Sequence, residues 1–145
     1  MNRLSKFWSL RKRERQLLYE ATILLTLSSA CLKTIPFRHI DRFLRTHWKD
    51  HAEDANLERE IRFVRSSISR AANVLPWKSL CLSRSIAEFI MLRRRGIPAV
   101  MVAGARFSGH SSLEAHAWVE TGSGSNRTVN SSFATVLRIE HELAN

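Results

Sequence analysis

The chain is poor in several residues whose absence narrows what it can be. It carries two cysteines, Cys31 and Cys81, too few for a disulfide framework or for paired metal-ligand doublets. Five glycines and three prolines leave no flexible linker. Gly104 and Gly109, and separately Gly122 and Gly124, lack the spacing of a phosphate-cradling loop. No apolar run is long enough to cross a bilayer: Ala21 to Cys31 is about a dozen residues where about 20 are needed. Basic residues precede that run as in a signal peptide, but Glu20 adjoins it. Its apolar pattern also continues through Leu32, Ile35 and Phe37, as a buried helix would. A soluble, cytoplasmic protein with reduced thiols is the expectation.

Acidic residues are also scarce, 13 against 23 Lys and Arg, for a formal charge of +10. Such a field favours acidic partners. The cations are spread along the chain, however, from Arg11-Lys12-Arg13 through Arg38, Arg42, Arg45, Arg62 and Arg65 to Arg93-Arg94-Arg95. That scatter reads as solvated helix faces rather than a nucleic-acid footprint.

What is present suits one compact unit with a modest extension: 145 residues, 44% hydrophobic and 25% charged. Residues 11–33 have helical apolar spacing, with Pro36 just beyond. Phe37 to Trp48 reads as a shorter helix with Ile40, Phe43 and Leu44 on one face. Leu57, Ile61, Val64 and Ile68 mark a third helix. A fourth runs from about Leu80 to Arg95, with Ser79 as its N-cap and Gly96 as its left-handed stop. Strands follow at Ile97–Ala105 and Glu114–Glu120, separated by a loop from Phe107 to Leu113. A Gly- and Ser-rich hairpin turn, Thr121 to Asn126, then leads to a third strand starting at Arg127–Asn130. The last dozen residues fit strand or helix. The fold class is α+β, with an N-terminal helical region at 1–56 and a core at 57–145.

Cys81 falls in the first turn of the fourth helix. Unpaired amides there carry partial positive charge that favours a thiolate and can donate to an oxyanion. The competing reading is a small core residue. His116, on a strand that follows, supplies an imidazole that can take the thiol proton and return it to a leaving amine. Asn130, with Ser131 as alternative, is the candidate third group to orient that imidazole. Trp77 and Lys78 are expected at the cleft mouth and bind substrate. Trp118, on the face of His116, either shields the ring or belongs to the core. His47, His51 and Asp54 have metal-ligand spacing on a polar segment without a second ligand set, so no metal or other cofactor is expected. His110 reads as an exposed loop residue and Glu120 as a strand-end surface charge.

Three stretches carry a family resemblance: Trp77-Lys78-Ser79-Leu80-Cys81-Leu82-Ser83-Arg84-Ser85-Ile86, Leu92 to Pro98, and His116-Ala117-Trp118-Val119-Glu120. Together with Glu20-Ala21 and Ile35-Pro36-Phe37 they resemble the lasso peptide B2 proteins, leader peptidases with a transglutaminase-like, papain-like cysteine protease core. The resemblance implies removal of the leader from a ribosomally made precursor peptide, so that a lasso cyclase can close the ring. It also implies a separate leader-binding B1 protein as partner, with no nucleic acid and no membrane involved. Nucleophile and base fall on Cys81 and His116. The family's third residue is an Asp on the strand after the hairpin, a place held here by Asn130 or Ser131. Two other readings stand beside it: a transglutaminase-like hydrolase or acyltransferase on another amide, and a non-catalytic basic peptide-binding module.

Overall fold

The computed structural model describes residues 11–46, 48, 56–77, 80–109, 112–122 and 132–140. Among the described residues four helices precede the sheet: α1 (Lys12–Thr34), α2 (Phe37–Thr46), α3 (Leu57–Val74) and α4 (Cys81–Arg94). Three strands follow, β1 (Ala99–Ser108), β2 (Ser112–Thr121) and β3 (Ala134–Ile139). They form one antiparallel sheet in the order β2-β1-β3. The fold class is therefore α+β, as the sequence implied. Among the described residues no helix is long and apolar enough to cross a membrane.

The sheet differs from expectation at its first connection. The loop expected from Phe107 to Leu113 is instead strand almost to its tip: Phe107 pairs with Leu113 and Ser108 with Ser112. Gly109, at φ 64°, makes the left-handed turn there. The strand expected to start at Arg127–Asn130, beside β2 across a hairpin, lies outside the described residues. The segment left open between strand and helix forms β3, which lies on the far side of β1 and pairs Met101 with Ile139 and Ala103 with Leu137. The reason lies in β1, whose run Ala99 to Ala105 is apolar on both faces and suits a central strand.

The helices bury one continuous core. Leu17, Ala21 and Leu25 of α1 meet Ile61, Val64 and Ile68 of α3, then Ile86, Phe89 and Leu92 of α4, and finally Met101, Val119 and Ile139 of the sheet. Helix α4 is at the centre, packed on α1, α3, β1 and β2. Its burial extends well beyond the apolar stripe Leu82, Ile86, Phe89 and Ile90 that helical spacing gives, taking in Ser83, Ser85, Ala87, Met91 and Arg93. Gly96 closes it at φ 71°. Its amide donates to Arg93 O at 2.9 Å and that of Ile97 to Leu92 O at 3.1 Å, the paired bonds of a Schellman motif.

Ion pairs tie the helices together. Glu20 of α1 takes Arg94 at 3.1 Å and Arg95 at 2.5 Å, fixing α1 to the C-terminal end of α4. Arg13 pairs with Glu60 of α3. Several cations read as solvated are thus engaged: Arg95 is paired, Arg93 is buried, and Arg65 bridges elements as described below.

Phe89 is fully buried and meets the Trp48 ring edge-on at 6.3 Å between centroids. Phe89→Ala removes this ring from the centre of the core, and a loss of about 3–5 kcal/mol is expected. A urea unfolding curve measures it; a loss under about 1 kcal/mol would mean that the site collapses to fill the space.

Candidate active site

The site begins with how α4 starts. Leu80, not Ser79, occupies the N-cap position, with extended backbone (φ −67°, ψ 152°); Ser79 lies outside the described residues. Among the described residues no side chain caps the helix. Ser83 turns its hydroxyl back to Leu80 O at 2.8 Å. Among the described residues the first-turn amides thus have no side-chain acceptor, and Cys81, half-buried, is the first helical residue.

His116 enters from β2, which among the described residues is an edge strand paired with β1 alone. Cys81 and His116 line one open cleft of about 730 Å³. Its walls are Trp77, Arg84, Ser85 and Glu88 on the helical side and Ala117, Trp118 and Val119 on the strand side. Alternation along a strand sends His116 and Trp118 to one face and Ala117 and Val119 to the other. Both sets line the cleft, which therefore runs along the edge of β2 away from β1.

The cleft floor is held by charge. Arg65 of α3 bonds Glu88 of α4 at 2.7 Å and donates to Val119 O of β2 at 3.3 Å. Burial raises the Glu88 carboxyl above its ordinary range, opposed by the hydrogen bond and charge of Arg65. On the other side of β2, Trp118 stacks on His116 with centroids 5.9 Å apart and planes 22° from parallel. Its Nε1 donates to Glu120 at 3.2 Å, and Arg138 takes the other oxygen of that carboxylate at 3.2 Å. Trp118 is thus both buried and laid against the imidazole, and Glu120 is bonded rather than a free surface charge. Phe133, just before β3, approaches His116 at 5.5 Å.

The structure brings together Cys81, His116, Trp77 and Trp118 of the residues read from the sequence. Lys78, Asn130 and Ser131 lie outside the described residues, as do His47, His51, Asp54 and His110. Among the described residues no His, Cys, Asp and Glu cluster suits a metal ion. Sequence reasoning passed over Ser85 and Glu88, although Cys81, Ser85 and Glu88 stand at i, i+4 and i+7 of one helix face. It also missed Arg65, Gly104 and Phe133, whose part depends on contacts across the fold.

The sequence profile of the Transglutaminase-like superfamily matches residues 24–137, and the chain belongs to that superfamily. This places it among the papain-like hydrolases and acyltransferases. Comparison with curated proteins and with solved structures yields no match.

The raised Glu88 carboxyl carries a pH signature. The folded protein keeps the proton to higher pH than the unfolded chain does. The stability from this group is therefore full below about pH 4.5, its ordinary value, and is lost as pH rises through the folded one. Relative to Glu88→Gln, the wild type should lose stability as pH rises from 4.5. Urea midpoints at stepped pH test this, and parallel curves for the two proteins would refute it.

Proposed function

We propose that the protein is a cysteine peptidase that removes the leader from a ribosomally made lasso precursor peptide. The observation that carries this reading is that Cys81, at the uncapped start of a buried helix, shares a cleft with His116. The Cys81 thiolate attacks the scissile carbonyl, His116 having taken its proton. An S–C bond forms, and the oxyanion is met by first-turn amides of α4. As the C–N bond breaks, His116 returns the proton to the leaving amine. Water, deprotonated by His116, then displaces the sulfur and releases the acid. Asn130 or Ser131 takes the third place, orienting the imidazole. The open form of the cleft suits an extended peptide, bound by Trp77 and Trp118 of its lining together with Lys78.

The same reading takes a separate leader-binding B1 protein as partner, a lasso cyclase as the next enzyme, and the reduced cytoplasm as the setting. An apolar groove of about 440 Å³ supports a docking role for the N-terminal helices. It is lined by Leu24 and Leu27 of α1, Ile40 and Phe43 of α2, and Ile86 and Ile90 of α4. Exposed Arg38 and Arg42 on α2 favour a partner with acidic residues around its apolar anchors.

Superfamily membership favours one other reading, an acyltransferase in which an amine rather than water accepts the acyl group. A basic peptide-binding module without catalysis draws on the charge of +10. A cleavage assay with precursor peptide, with and without the leader-binding protein, followed by mass spectrometry separates the three. Leader loss with uptake of water is expected, along with iodoacetamide labelling of Cys81 at neutral pH. Cys81→Ala should abolish cleavage while leaving the circular dichroism spectrum unchanged. Residual cleavage by that variant would falsify the assignment. Amine incorporation would favour the acyltransferase, and an inert thiol the module.

A further inference from the structure

The His116 ring is held by aromatic faces. Trp118 lies on it at 5.9 Å and Phe133 at 5.5 Å, with planes 38° apart for the second pair. Trp118 and Phe133 also meet each other, at 6.1 Å. Phe133 is half-buried and stands outside the main hydrophobic core. Its ring partners are His116, Trp118 and the Arg106 guanidinium, 4.5 Å over its centroid. Arg106 is itself fixed by Glu114 at 2.8 Å and Ser132 Oγ at 3.2 Å. A row thus runs from Glu114 through Arg106 and Phe133 to His116 and Trp118.

Two backbone features make the row possible. Gly104 of β1 pairs with His116 on one side and Thr135 on the other. A Cβ at Gly104 would lie 2.9 Å from Trp118 Cη2, 3.0 Å from Phe133 Cβ and 3.0 Å from Ala134 O. A methyl group there would force the rings apart. The β1–β3 register also shifts between Ala103 and Gly104. Such an irregularity re-aims nearby side chains, and here it stands where Phe133 reaches across β1.

We propose that Phe133 is a positioning residue for His116, packing against the imidazole and Trp118 together in a three-ring cluster whose space Gly104 keeps open. The reading rests on His116 as the base of the proposed reaction. The torsion that swings an imidazole is soft, and a hydrogen bond to one ring nitrogen leaves rotation about that bond. Two rings packed beside the imidazole restrict this freedom. Misplacement by about 1 Å can cost on the order of 100-fold in rate.

The test pairs NMR of isotopically labelled histidine with kinetics on the precursor peptide. In Phe133→Ala, the His116 ring protons should lose the shift imposed by the neighbouring ring current. The turnover number should fall by about 10- to 100-fold with KM within about twofold. Phe133→Tyr, which keeps the ring, should restore both. Gly104→Ala, a second route to the same displacement, should move the same resonances while the circular dichroism spectrum stays native. His116 resonances unchanged in both Phe133→Ala and Gly104→Ala would overturn the proposal, as would equal rate losses in Phe133→Ala and Phe133→Tyr. The NMR arm needs no turnover. Responsive resonances in a wild type that cleaves nothing would therefore sink the peptidase reading alone, and unresponsive ones in an active enzyme the positioning role alone.

Discussion

The Arg65 guanidinium sits where three elements of the site converge, and it ties the helix that starts at Cys81 to the strand that carries His116. It reaches from α3 to the Glu88 carboxylate on α4 and to the Val119 carbonyl on β2. Glu88 is seven residues from Cys81, a rise of about 10 Å along a helix. Val119 is three residues from His116, about 10 Å along a strand. One bridge therefore joins the helix that bears the cysteine to the strand that bears the histidine. A largely buried ion pair contributes little net stability, because desolvation offsets the attraction. Its value here is register: an apolar contact at the same place would let α4 slide against β2.

Helix α4 has two working sides. At 100° per residue, Cys81, Ser85 and Glu88 gather on one face, while Ile86 and Ile90 point roughly the opposite way. The first face lines the cleft and the second the apolar groove against α1 and α2. A helix with a surface duty on each side cannot have a single apolar stripe. This is why α4 is buried nearly all round, beyond the one apolar stripe that its spacing suggests. Glu20, bonded to Arg94 and Arg95, fixes its far end and leaves the Cys81 end free of a side-chain cap among the described residues.

The parts legible in the sequence were those with local causes. Helical spacing located all four helices, Gly96 marked the stop of α4, and the cysteine at its start followed from where that helix begins. The strand carrying His116 was plain from alternation. What was not legible was long-range. Neither the spacing around Phe133 nor the flanks of β3 indicate that β3 crosses to the far side of β1; only the two-sided apolar character of β1 hinted at it. Arg65 looked like one more surface cation, since a charge beside the buried Val64 can equally snorkel to water. Its partners are 23 and 54 residues away. The local reading of Phe107 to Leu113 as loop failed because ladder pairing carried through Ser108 and Ser112 despite the polar residues there.

The two supports of the histidine are chemically unlike, and the difference has a consequence for how the site tolerates change. A polar third group fixes a tautomer by accepting from one ring nitrogen, and a charged one also stabilises the imidazolium. Aromatic faces do neither, but they restrict the plane of the ring whichever nitrogen is bonded, and their quadrupoles favour a cation beside them. Trp118 and Phe133 both lie against His116, so orientation does not have to come from the polar group alone. A neutral Asn or Ser can then fill a place where an Asp would otherwise supply both orientation and charge. On this argument the aromatic packing and the proposed uncharged third group, Asn130 or Ser131, belong together: the first relaxes the demand on the second.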